Sequence, residues 1–175
     1  CSGQSVLLDR PKVKYVALDM QPYESKEWGD SALLLLGSKT YLDSGILVRN
    51  KAGSPIAVIG DADVTIHNST VALNDGAIVG GAISASGFVN LRIDGDSNLQ
   101  NNSAAMGGAI FASGLGSVTI GGSTYCTGNR ALKAGGCIVV DRNITAIIGP
   151  GVLMGYNTAL VGGGIMALGD GVVIT

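Results

Sequence analysis

A Gly-Gly-small-Ile element recurs four times, and its spacing constrains the fold more than any other feature. The copies are Gly80-Gly81-Ala82-Ile83, Gly107-Gly108-Ala109-Ile110, Gly135-Gly136-Cys137-Ile138 and Gly162-Gly163-Gly164-Ile165, at steps of 27, 28 and 27 residues. Other columns keep this period. Ile66, Ile93, Ile120, Ile147 and Ile174 are each 27 apart, with Ile148 as the alternative to Ile147 because one residue is inserted in that turn. Asn74, Asn102, Asn129 and Asn157 precede the Gly pairs, each three residues after Val71, Leu99, Cys126 or Met154. A degenerate upstream copy holds Leu47, Asn50 and Gly53-Ser54-Pro55-Ile56. A fixed period of this length signals a solenoid, a propeller or an array.

The unit is β-rich. Val64-Thr65-Ile66, Leu91-Arg92-Ile93 and Val118-Thr119-Ile120 are short β-forming runs between turn residues. Outside the first 40 residues no helical stripe of ten residues is sustained, and a propeller blade needs about 40 residues. The 28 Gly among 175 residues also disfavour helix, at about 1 kcal/mol per interior position relative to Ala. The expected fold is an all-β, right-handed parallel β-helix with about 27 residues per coil. Residue i then lies over residue i+27. Ile83, Ile110, Ile138 and Ile165 become one inward ladder, and Ile66, Ile93 and Ile120 another. The Gly pairs are expected at a corner, where φ > 0 costs Gly little. The Asn column is expected at a left-handed turn position, with its amides bonded along the axis.

The Leu99-x-x-Asn102 element followed by Gly107-Gly108-Ala109-Ile110 resembles the repeat of the chlamydial polymorphic outer membrane proteins, as do Cys126-x-x-Asn129 with Gly135-Gly136-Cys137-Ile138 and Met154-x-x-Asn157 with Gly162-Gly163-Gly164-Ile165. That family repeats Phe-x-x-Asn and Gly-Gly-Ala-(Ile/Leu/Val), and here no copy has the Phe. The resemblance covers about residues 45–175 and implies a surface-exposed β-helical module.

Residues 1–44 are expected to form an N-terminal cap or irregular first coil, and 45–175 the repeats, as part of a longer chain. Both Glu residues, the one Trp and several of the cations lie near the start. Gly171-Val172-Val173-Ile174-Thr175 stops inside a coil without a cap, so that edge is expected to be covered by further chain or by a neighbour. Cys1 reads as the point where a longer chain was cut, or as a lipidated first residue; the first is taken. No signal peptide is visible. The longest aliphatic run, Leu33 to Leu36, is far short of the ~20 residues of a membrane span.

Composition narrows function by exclusion. A net charge of -2 and 14% charged residues provide no basic stripe for nucleic acid, and 46% hydrophobic content excludes a disordered tail. Neither metal site nor cofactor is expected, since His67 is the one His and the Cys spacing is not that of a zinc pair. Acidic clusters at Asp94 and Asp96 with Arg92, and at Asp61 and Asp63 with His67, read first as turn chemistry, as does Asp75-Gly76; His67 is expected in an exposed turn. No catalytic residue is assigned. Cys126 and Cys137 fall in one coil and are expected to form a disulfide if both point inward. Sequons place glycan candidates at Asn68, Asn101 and Asn143, with Asn143 favoured because Asp141-Arg142-Asn143 reads as an exposed loop. The expected role is a non-enzymatic extracellular structural or adhesive module at the cell surface. Its partners would be neighbouring chains or copies of itself, with glycans as a further class. The alternative is a carbohydrate-active β-helix enzyme.

Overall fold

Ile56–His67 alternates buried and exposed side chains along twelve residues, as a strand with one face on a core does. In the computed structural model this strand lies parallel to Ile83–Asp94, which lies parallel to Ile110–Ile120, which lies parallel to Ile138–Ile148. Each coil continues into a short second strand (Thr70–Ala72, Asn98–Gln100, Tyr125–Thr127, Leu153–Gly155). A third strand follows in three of them (Ala77–Val79, Ser103–Met106, Arg130–Ala134). The three positions build three parallel sheets, and the chain is a β-solenoid with a repeat of about 27 residues. The structure describes residues 33–169 except 38, 52 and 76, together with the backbone of strands 6–7, 12–13, 17–19 and 173–174. Among the described residues there is no helix, hence none long and apolar enough to cross a membrane.

Stacking in register turns the sequence period into contact. Ile56, Ile83, Ile110, Ile138 and Ile165 pair successively, and the first four are fully buried. Ile66, Ile93 and Ile120 form the second ladder, which continues to Ile148. Ile147 instead pairs with Thr119 and is exposed. The extra residue enters upstream, as a register shift where Arg130–Ala134 lies against Ser103–Met106. Ile174 pairs with Ala146, so its backbone falls in the Val64–Leu91–Val118 column rather than the Ile column.

The long strand bends at Gly60, Gly87 and Gly114, all at positive φ and stacked on one another. At the other corner the first Gly of each pair takes φ near +62 to +65. The second is needed for space: a Cβ on Gly81, Gly108 or Gly136 would collide with the carbonyl oxygen of the next coil.

The strands described before residue 44 join the same sheets. Val6–Leu7 pairs with Leu33–Leu36, Lys12–Val13 with Lys39–Asp43 and Ala17–Asp19 with Ile46–Val48. The described strands before residue 44 therefore belong to the same sheets as those after it. The rest of that segment, and the expected open edge at Gly171, Val172 and Thr175, lie outside the described residues.

Candidate functional site

Two polar ladders run through the interior. Asn74, Asn102 and Asn129 are fully buried. Each carboxamide donates to the Oδ1 of the next: Asn74 to Asn102 at 2.8 Å, Asn102 to Asn129 at 3.1 Å and Asn129 to Asn157 at 3.0 Å. The other N–H goes back to the preceding coil, at the carbonyls of Leu47, Val71, Leu99 and Cys126. Each Oδ1 also accepts the backbone N–H of the Asn before it, from Asn50 onward. The left-handed position lies one residue earlier than expected, on Arg49, Leu73, Asn101, Gly128 and Tyr156. The column is therefore Asn because it must donate twice and accept twice, not because Asn tolerates that φ.

The second ladder was missed in the sequence. Ser69, Ser97 and Thr124 are buried one per coil. Each hydroxyl donates to a carbonyl two or three residues back, at His67, Asp94 and Gly121. Ser69 and Ser97 also accept a backbone N–H from the coil before. The signal was a hydroxyl residue every 27 or 28 positions. Among the described residues no buried side-chain nitrogen or oxygen lacks a partner.

Cys126 and Cys137 are both fully buried and joined in a disulfide, with Cα atoms 6.3 Å apart. The bond crosses the interior from the second strand to the Gly-Gly corner. Neighbouring coils fill the same two places with Leu99 and Ala109, or with Met154 and Gly164, where an added Cβ would lie 3.7 Å from the Met154 sulfur. A large side chain facing a small one is replaced in one coil by a covalent bond.

The outward face of the long strands, past the glycine bend, carries a cluster of titratable groups. His67 closes the strand Ile56–His67 and is not an exposed turn residue: its Nδ1 lies 2.6 Å from Asp94 in the next coil, and its ring stacks on Tyr41 at 6.1 Å. Arg92 donates to the other Asp94 oxygen at 2.6 Å. Partial burial opposes ionisation of Asp94, yet the hydrogen bonds from His67 and Arg92 and their charges outweigh it and hold the carboxyl below the usual range. Partial shielding from water, with the charges of Asp43 and Asp94, pushes the Tyr41 phenol up.

The expected clusters are thus regrouped. Asp94 faces His67 and Arg92, while Asp96 stands exposed in the bend after the strand, with its amide bonded to the Asn68 side chain. Asp63 meets Lys39 at 3.6 Å and Asn90 at 2.9 Å. Asp61 is six residues from His67 along an extended strand, about 20 Å. The reason is register: a neighbour one rung away is nearer than one two residues along. Asp43, His67 and Asp94 share one column. Asp75 stays at the turn after Asn74, its amide bonded to the Asn50 carbonyl, and Gly76 lies outside the described residues. No group of three His, Cys, Asp or Glu among the described residues is placed to hold a metal ion.

All three sequon asparagines are exposed. Asn68 and Asn101 have φ of 47 and 54 at turns. Asn143 lies inside the strand Ile138–Ile148 and not in a loop, just past the bend where Arg142 takes φ 63 in place of glycine. No protein-family model, curated protein or solved structure matches the chain.

Proposed function

We propose that the chain is a structural or adhesive module of an extracellular surface protein, with its outer columns presented to neighbouring chains or copies of itself. The observation that carries this reading is the continuous axial stack, in which each coil satisfies the backbone and side-chain hydrogen bonds of the next. Such a body is quasi-one-dimensional and extends by adding coils. The Cys126–Cys137 disulfide supports an oxidising compartment. The similarity of the Gly-Gly-Ala-Ile and x-x-Asn elements to the polymorphic outer membrane protein repeat agrees with a surface location. The test is secretion of the chain followed by sedimentation and electron microscopy. Rods or laterally associated particles are expected. A globular, strictly monomeric particle at micromolar concentration would overturn the reading.

A second reading, a carbohydrate-active β-helix, rests on the Tyr41–His67–Asp94–Arg92 group on the outer face. Turnover of a polysaccharide by the isolated chain, abolished by Asp94→Asn, would put it first.

A further inference from the structure

The outward column just past the glycine bend reads Asp61, Phe88, Leu115 and Asn143, in register from coil to coil. Phe88 is 51% exposed and Leu115 49%. Two large apolar side chains thus stand on the surface directly beside a sequon. Asn143 and Thr145 point outward together, while Ile144 between them is 1% exposed. Asn68 is placed differently, since its side-chain oxygen holds the Asp96 amide at 3.0 Å. Asn101 packs against Gly128 and adjoins the buried Asn102.

From this juxtaposition we infer that Asn143 carries an N-linked glycan whose first sugars lie over Leu115 and Phe88. The inference rests on the extracellular reading above. The donor is a lipid-pyrophosphate-linked oligosaccharide of the secretory pathway. The Asn143 Nδ2 bonds to the anomeric carbon of the first N-acetylhexosamine as the bond from that carbon to the pyrophosphate oxygen breaks. The amide gives up one proton, and the lipid pyrophosphate leaves. Rungs are about 4.8 Å apart, so Leu115 is one rung from the attachment point and Phe88 two, within the span of a disaccharide. The C–H face of a pyranose is apolar, and covering exposed apolar surface with it removes that surface from water.

The experiment directs the full chain into the secretory pathway of a eukaryotic host with an added leader. Glycan occupancy is read by peptide mass spectrometry on secreted and retained chain alike. Asn143 occupied is expected; Asn143 unmodified in chain recovered from that compartment overturns the inference. The state of Cys126 and Cys137 in the same sample reads the compartment separately, so failure of the extracellular reading is distinguishable. Coverage is tested by thermal midpoint. Loss of the glycan through Thr145→Ala, or through enzymatic removal from the folded protein, should lower the midpoint by about 2–4 °C. That shift should vanish in a Phe88→Ser/Leu115→Ser background. An equal shift in both backgrounds would overturn the placement of the sugars.

Discussion

Removing the Asn102 carboxamide strands groups in the two neighbouring coils: the backbone and side-chain N–H of Asn74 and the Val71 carbonyl on one side, and one acceptor position on Asn129 on the other. Each unsatisfied buried group costs about 1–3 kcal/mol. Asn102→Ala should therefore lower stability by at least about 3 kcal/mol in denaturant titration. The adjacent Asn101→Gly should stay within about 1 kcal/mol of the parent, because Gly suits its left-handed backbone. Equal costs for the two variants would mean that the ladder contributes little. Asp94 yields a pH prediction. Its folded pKa is depressed, so its contribution is present above the unfolded value of about 3.9 and is lost as pH falls through the lower folded value. The stability difference between the parent and Asp94→Asn should be largest at neutral pH and shrink below pH ~4. A difference that does not vary with pH would rule out an ionised Asp94 as its source.

At the scale of one coil, the disulfide stands where the coils on either side use complementary packing. The double variant Cys126→Leu/Cys137→Ala copies the Leu99–Ala109 pair. It should fold with the same circular dichroism and lose about 2–4 kcal/mol, the usual worth of a disulfide. Cys126→Ala/Cys137→Ala should lose more, because it also leaves a cavity. Equal stability of the two double variants would show that the packing pair does not matter. What could be read from the sequence follows from the same geometry. Ile83 over Ile110 and Asn102 over Asn129 were visible because in-register stacking makes a period into a contact. The Ser69–Ser97–Thr124 ladder was hidden because Ser and Thr crowd every turn and the next rung is Val152. The His67–Asp94 contact was hidden because it depends on which rung is adjacent. The left-handed position falls on Leu73 and Tyr156, residue types that give no signal for it. The bend on Arg142 made a strand look like a loop.

For the whole molecule, a quasi-one-dimensional body should tolerate loss of an entire unit. Deleting residues 83–109 joins Ala82 to Ile110, brings Ile56 against Ile110 and lets Asn74 meet Asn129. The shortened chain should keep its β spectrum, and small-angle scattering should find it about 4.8 Å shorter. Collapse to an unfolded chain would show that coils are not interchangeable. The Asn ladder also has a direction. From Asn74 to Asn157 each Oδ1 faces the coil before it and accepts hydrogen bonds from the N–H groups there, so any cut across the column leaves acceptors on one side and donors on the other. Two chains related by a dyad across like ends would oppose donor to donor or acceptor to acceptor. Any end contact that prolongs the column must be head-to-tail, a heterologous join with nothing to close it. Growth along the axis would therefore be polar and open-ended, with two chemically distinct ends.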